Sequence, residues 1–165
     1  VSAGAATTTR TLVLGLGNDI LADDAVGLLA ARDLAASLDG PVDVRETSVH
    51  GVALLDLLTG YDRAILIDAV RTGRHPPGTV LALDPASLSA ACAPSPHYAG
   101  LPEVLALARA LDLEFPSRIS IVAVEVADPF TIDGAVTPAV RDAVPEVCRR
   151  VRDLLAAPAH RLLTR

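Results

Sequence analysis

Three places in this chain carry side chains suited to holding a cation or moving a proton: the neighbouring acids Asp23 and Asp24, the lone acid Asp68, and His97. An imidazole with two carboxylates is a serviceable donor set for a transition-metal ion. Each residue also has a plainer reading. A carboxylate at a helix start caps backbone N–H groups and meets the positive end of the helix dipole. One acid suffices for that, and a second beside it is like-charge crowding that a cation would relieve. Asp68 follows an apolar run, where it can serve as a ligand or cap the next turn. His97 lies in SPHYAG, between a proline-rich loop and a helix start, where most histidines are simply solvated.

Other candidates are weaker. Gly15 and Gly17 permit a tight passage from strand to loop, but GLGNDI lacks the third glycine of a dinucleotide fingerprint and does not open a helix directly. His50 reads as a polar helix-start residue within reach of the same edge, while His75 and His160 read as solvated. Cys92 reads as a loop residue with no basic or histidine activator nearby in sequence, and Cys148 as a helix residue; neither makes a persuasive nucleophile. Serines 87, 89, 95 and 117 lack a G-x-S-x-G elbow. Arg149, Arg150 and Arg152 suit a solvated helix face.

These residues need strands and helices to position them. Apolar runs at 11–16 (TLVLGL), 63–70 (RAILIDAV), 79–83 and 118–126, and the alternating 42–47 (VDVRET), read as strands. Helical patterns cover 25–38, closed by Asp39-Gly40-Pro41, then 50–58 and 100–111 with Pro102 in the first turn. A last helix runs from an N-cap at Thr137 and a first-turn Pro138 to about 157, with Pro145 expected to kink or restart it. The alternation predicts an α/β fold: three layers, α/β/α, around a mostly parallel, twisted, five-stranded sheet. In such sheets sites form beyond the carboxyl ends of the strands, which is where Asp24 and Asp68 fall. Residues 1–10 and 158–165 read as tails, and 11–157 as a single domain.

Composition narrows the function. The 165 residues carry 14 basic side chains, all arginine, against 20 acidic ones, for a net charge of −6, which disfavours general nucleic-acid binding. Aromatic residues at 2% leave no stacking platform for single strands. Two cysteines exclude a disulfide scaffold and a multi-thiolate zinc site. No apolar run approaches the ~18 residues of a membrane span, and VSAGAATTTR does not read as a signal peptide. A cytoplasmic monomer is expected.

Taken together, three segments resemble the hydrogenase maturation proteases, endopeptidases that trim the large subunit of nickel-iron hydrogenases. GLGNDILADDAVG (15–27) matches G-x-G-N, a spacer, then D-[D/E]-x-x-G. Residues 63–70 match a strand ending in D-A, and SPHYAGL (95–101) matches S-x-H-x-x-G-L. The resemblance extends from about residue 11 to 155. It implies a protease domain in which Asp24, Asp68 and His97 carry the reaction and contact a metal, with Asp23 the capping acid. The metal stands for nickel already delivered to the [NiFe]-hydrogenase large-subunit precursor, and other divalent ions can substitute. The implied reaction removes the precursor's C-terminal tail by attack of water, in the manner of an aspartic or metal-dependent endopeptidase. Two stretches depart from the family pattern: ETSVHG replaces a glycine-rich, threonine-containing segment, placing His50 where no histidine is expected, and EVADPF replaces a Glu-Pro pair. The alternatives are a non-enzymatic nickel-dependent chaperone using the same ligands, a nucleotide-binding α/β protein, and another peptidase of the same fold.

Overall fold

The computed structural model describes residues 9–88, 95, 97 and 101–157, with Ser87 described for its backbone alone. The expectations for Ser89, Cys92, His160 and most of the two tails lie outside the described residues. Arg10 belongs to the folded body, since its backbone N–H donates to the Asp62 carboxylate at 2.7 Å.

The chain runs β1 (Thr11–Leu16), α1 (Val26–Ala35), β2 (Val42–Thr47), α2 (Leu54–Leu58), β3 (Arg63–Val70), β4 (Val80–Leu83), α3 (Leu101–Ala110), β5 (Arg118–Glu125) and α4 (Pro138–Ala156). Short 3-10 turns precede α1 and α2, at Ala22–Ala25 and Gly51–Ala53. The strands form one sheet in the order β2-β1-β3-β5-β4. The first three contacts are parallel, and β4 pairs antiparallel with β5. The connection from β3 to β4 is a turn with no helix in it, too short for a crossover back to the starting edge, so β4 must run the opposite way.

Side-chain alternation divides the core. Val13, Ile65, Ile67, Val122 and Val124 pack under α1 and α4. Leu12, Leu14, Leu16, Leu66 and Ala123 pack under α2 and α3 with Leu54, Leu58 and Leu101. This gives the expected three layers. The central strands are buried on both faces, which is why β1 and β3 read as unbroken apolar runs. Each fully buried leucine of β1 contributes about 1.5–3 kcal/mol.

Two glycines set how closely α1 lies on the sheet. A Cβ on Gly27 would meet the Leu16 carbonyl oxygen at 2.1 Å and that of Ile67 at 2.5 Å. Gly17 has φ +154°, and a Cβ there would meet the Asp24 carbonyl oxygen at 2.1 Å. The GLG…AVG spacing therefore packs backbone on backbone and draws the Asp24 segment onto the end of β1.

Pro145 neither breaks nor restarts α4, which continues through it. It sits on the exposed side of the helix, so the lost hydrogen bond does not leave a polar group in the core. Arg149 and Arg150 form surface ion pairs with Glu146 and Asp153, as a solvated face should. Among the described residues no helix is long and apolar enough to cross a membrane.

Candidate metal centre

The sheet order creates a crevice between β1 and β3. From β1 the chain crosses to β2 on one side, while β3 is flanked by β5 on the other. The β1–β3 ladder ends at Gly15↔Ile67. Asp68 is the next residue of β3, at the point where the two strands part, and such switch points are where open α/β sheets place ligands.

Asp24 comes from the 3-10 turn after β1, and His97 from the segment before α3. One ligand atom from each of Asp24, Asp68 and His97 lies within 4.8 Å of the others, and all three residues are buried. His97 Nε2 stands 3.7 Å from Asp24 Oδ2, an ion-pair separation too long for a hydrogen bond. Two donors on one ion at bond lengths of about 2.0–2.2 Å lie at most about 4.4 Å apart, so separations within 4.8 Å exceed that span by at most about 0.4 Å. Two carboxylates and an imidazole, aimed together in a buried crevice, fit a divalent transition metal. Among the described residues this is the one such cluster.

Neighbouring groups fix the orientation of each donor. His97 Nδ1 lies 3.3 Å from the Val49 carbonyl oxygen, which can only accept, so Nδ1 carries the proton and neutral His97 presents the Nε2 lone pair. Asp68 Oδ1 accepts the Ala69 N–H at 2.8 Å, and Oδ2 accepts the Ser95 hydroxyl at 2.7 Å. Ser95 Oγ also accepts the His97 N–H at 3.3 Å, coupling the two donors through one hydroxyl. Ser95 lacks the flanking glycines of a nucleophile elbow, and the S-x-H spacing is the sequence signal that marks it.

Burial pushes the Asp68 carboxyl up to about 7, against the opposing pull of His97 and Ser95. For His97 burial acts downward, but Asp24 and the charge on Asp68 outweigh it and the net shift is upward. The cluster therefore holds protons near neutrality, and these must leave when a cation enters.

Asp23 acts differently from its neighbour. Neither acid caps its own turn. Asp23, fully buried, accepts the Thr137 N–H at 2.7 Å and the Thr137 hydroxyl at 3.2 Å. It therefore secures the entry to α4 from the opposite end of the sequence, and Thr137, expected to cap α4 through its own side chain, gives its hydroxyl to Asp23 instead. The same loop is clasped by the one after β5, where Asp128 and Thr131 carbonyls accept the N–H groups of Asp23 and Ala22. Glu125, also buried and also unanticipated, accepts from the Thr72 and Gly73 N–H groups and shapes the loop after β3.

The remaining candidates stand apart from the donor set. His50 is exposed with its ring centroid 6.4 Å from that of His97. His75 is exposed in the turn before β4, and Ser117 is exposed beside Asp62. Cys148 is buried in α4 with its thiol 3.7 Å from the Ala30 carbonyl oxygen, and burial raises its pKa, the reverse of an activated nucleophile. The Gly15–Gly17 loop leads into a 3-10 turn before α1 begins at Val26, so it does not place a pyrophosphate on a helix N-terminus.

The sequence profile of the hydrogenase maturation protease family matches residues 31–153. The hydrogenase 2 maturation protease of Escherichia coli (strain K12) is 31% identical over 141 residues, spanning 79% of this chain and 85% of that protein. The hydrogenase maturating endopeptidase HybD from E. coli superposes with a TM-score of 0.74 at 30% identity, over 89% of this chain and 92% of that one. The [NiFe] hydrogenase maturation protease HybD from Thermococcus kodakarensis gives 0.70 at 25% identity, over 88% and 99%.

Proposed function

The chain belongs to the hydrogenase maturation protease family, and from that premise we propose that it removes the C-terminal tail of a nickel-loaded [NiFe]-hydrogenase large-subunit precursor. The observation that carries this reading is the convergence of Asp24, Asp68 and His97 in the β1–β3 crevice. Their role is to grip the ion that the precursor presents. Three protein donors do not fill the coordination shell of nickel, which leaves positions for the precursor's own ligands. A precursor without nickel loses that bridge and docks weakly.

Hydrolysis proceeds by water rather than through an acyl-enzyme. The Ser95 hydroxyl donates to Asp68 and its oxygen accepts from the His97 backbone, so it has no imidazole base aligned on it. The Asp68 carboxylate, which has given up its proton once the ion is gripped, serves as the general base. It takes a proton from the attacking water as the oxygen bonds to the scissile carbonyl carbon, then returns a proton to the amine as the C–N bond breaks. We place this reaction in the cytoplasm, with the protein acting as a monomer.

The test is incubation with nickel-loaded and nickel-free precursor, read by intact-protein mass. Release of a C-terminal fragment from the loaded form alone is expected, and complex formation without a mass change would instead indicate a chaperone. Asp24→Ala, Asp68→Ala and His97→Ala should each abolish cleavage while far-UV circular dichroism stays native. Full processing by all three would overturn the assignment, and equal cleavage of both precursor forms would remove the role of the ion.

A further inference from the structure

We propose that His50 is a fourth protein donor to the ion held by Asp24, Asp68 and His97; this rests on the metal grip proposed above. His50 ends the segment after β2 in an extended conformation, φ −144° and ψ 170°. The preceding residue, Val49, supplies the carbonyl that orients the His97 ring. The backbone next to His50 is thus tied to an existing donor. Gly51, at φ +60°, then turns the chain into the 3-10 turn before α2, so His50 stands at the corner of that turn.

The two imidazoles stand edge to face, with centroids 6.4 Å apart and planes at 71°. At metal–nitrogen lengths of about 2.0–2.1 Å, two imidazoles on one ion have centroids at most about 6.4 Å apart, and roughly 1–2 Å closer at tetrahedral or right angles. The observed separation lies at that limit. His50 is exposed, so its side chain can change rotamer without moving the core. Chemistry points the same way: the buried set has one nitrogen donor and two oxygen donors, and imidazole suits nickel and its borderline neighbours better than further oxygen does. As an exposed residue, His50 would take a position on the open side of the ion, which the three buried residues leave vacant.

The test uses the full chain and cadmium ion alone. The ring-nitrogen resonances of the histidines are followed by NMR with an NMR-active cadmium isotope, and binding is measured by calorimetry. His50→Gln and His97→Gln identify the signals. One equivalent of cadmium should produce metal–nitrogen splitting at both His50 and His97. His50→Gln should weaken cadmium binding by at least about 10-fold while keeping the splitting at His97. Splitting at His97 alone, with His50→Gln binding as tightly as the parent, would overturn the role of His50 and leave the three-residue grip standing. Absence of splitting at both rings would overturn the two readings together. The splitting is read on the unaltered protein, so the result does not depend on how the variants fold.

Discussion

Replacing Asp68 by asparagine is expected to stabilise the protein while abolishing its activity, and the gain should depend on pH. Asp68 is completely buried, and burial moves its carboxyl from 3.8 up to about 7. Between those values the folded chain keeps a proton that the unfolded chain has released. The raised pKa therefore costs nothing below about pH 4, where both states are protonated. It becomes progressively unfavourable as pH climbs towards 7. At about 1.36 kcal/mol per pH unit of separation, the penalty reaches roughly 4 kcal/mol at pH 7 and above. Asparagine has no charge to bury. Its side-chain oxygen can keep the Ala69 N–H, and its amide can donate to Ser95 Oγ, which accepts where it formerly donated. Urea denaturation at pH 4, 7 and 8 is the assay. Asp68→Asn should gain up to about 4 kcal/mol at the two higher values and less than about 1 at pH 4, and the midpoint of thermal unfolding should rise by roughly 8–16 °C at pH 8. A variant less stable than the parent at pH 8, or equally stabilised at pH 4 and pH 8, would refute the reasoning that burial dominates at this position.

Other outcomes follow from the same geometry. Cadmium affinity of the unaltered protein should fall as pH is lowered from 8 to 6, because both Asp68 and His97 take up protons there; calorimetry in buffers of different ionisation enthalpy should show proton release on binding, and equal affinity at the two pH values would contradict it. Asp23→Ala should lower stability by about 1–3 kcal/mol in urea denaturation by releasing Thr137, yet leave cadmium binding within a few-fold of the parent. Gly27→Ala should be more damaging than its helical position suggests, costing about 1–3 kcal/mol or more, since the added carbon meets backbone oxygen on β1 and β3. A Gly27→Ala protein as stable as the parent in the same assay would show that α1 can lift off the sheet freely.

Local regularities made much of this molecule readable. The strands at 11–16, 42–47 and 63–70 were placed to the residue because each apolar or alternating run is bounded by glycine, proline or polar residues. The helical pattern over 25–38 overruns the helix at both ends: α1 starts one residue later and stops at Ala35. At the site, the types and order of Asp24, Asp68 and His97 were legible, because each adjoins a strand or helix boundary. What holds them was not. The Val49 carbonyl under His97 comes from a segment distant in the chain that no local pattern marks, and for the Ser95 hydroxyl on Asp68 only the S-x-H spacing is a signal. Asp23 shows the limit best: a carboxylate at a helix entrance reads as a cap of the helix beside it, but this one holds Thr137 at the start of α4 and caps nothing of its own turn. Pro145 shows the converse, since its local preference against helix yielded to the packing of Val144, Val147, Cys148 and Val151.

The bond between Asp23 and Thr137 joins groups 114 positions apart. On a ribosome, the N-terminal loop would be synthesised long before its partner emerges. Until then Asp23 has either to remain in water or to enter the interior uncompensated, and the loop that carries Asp24 lacks its tie to α4. Formation of the ion-gripping end of the sheet is thus tied to the docking of α4, which brings Thr137 to Asp23.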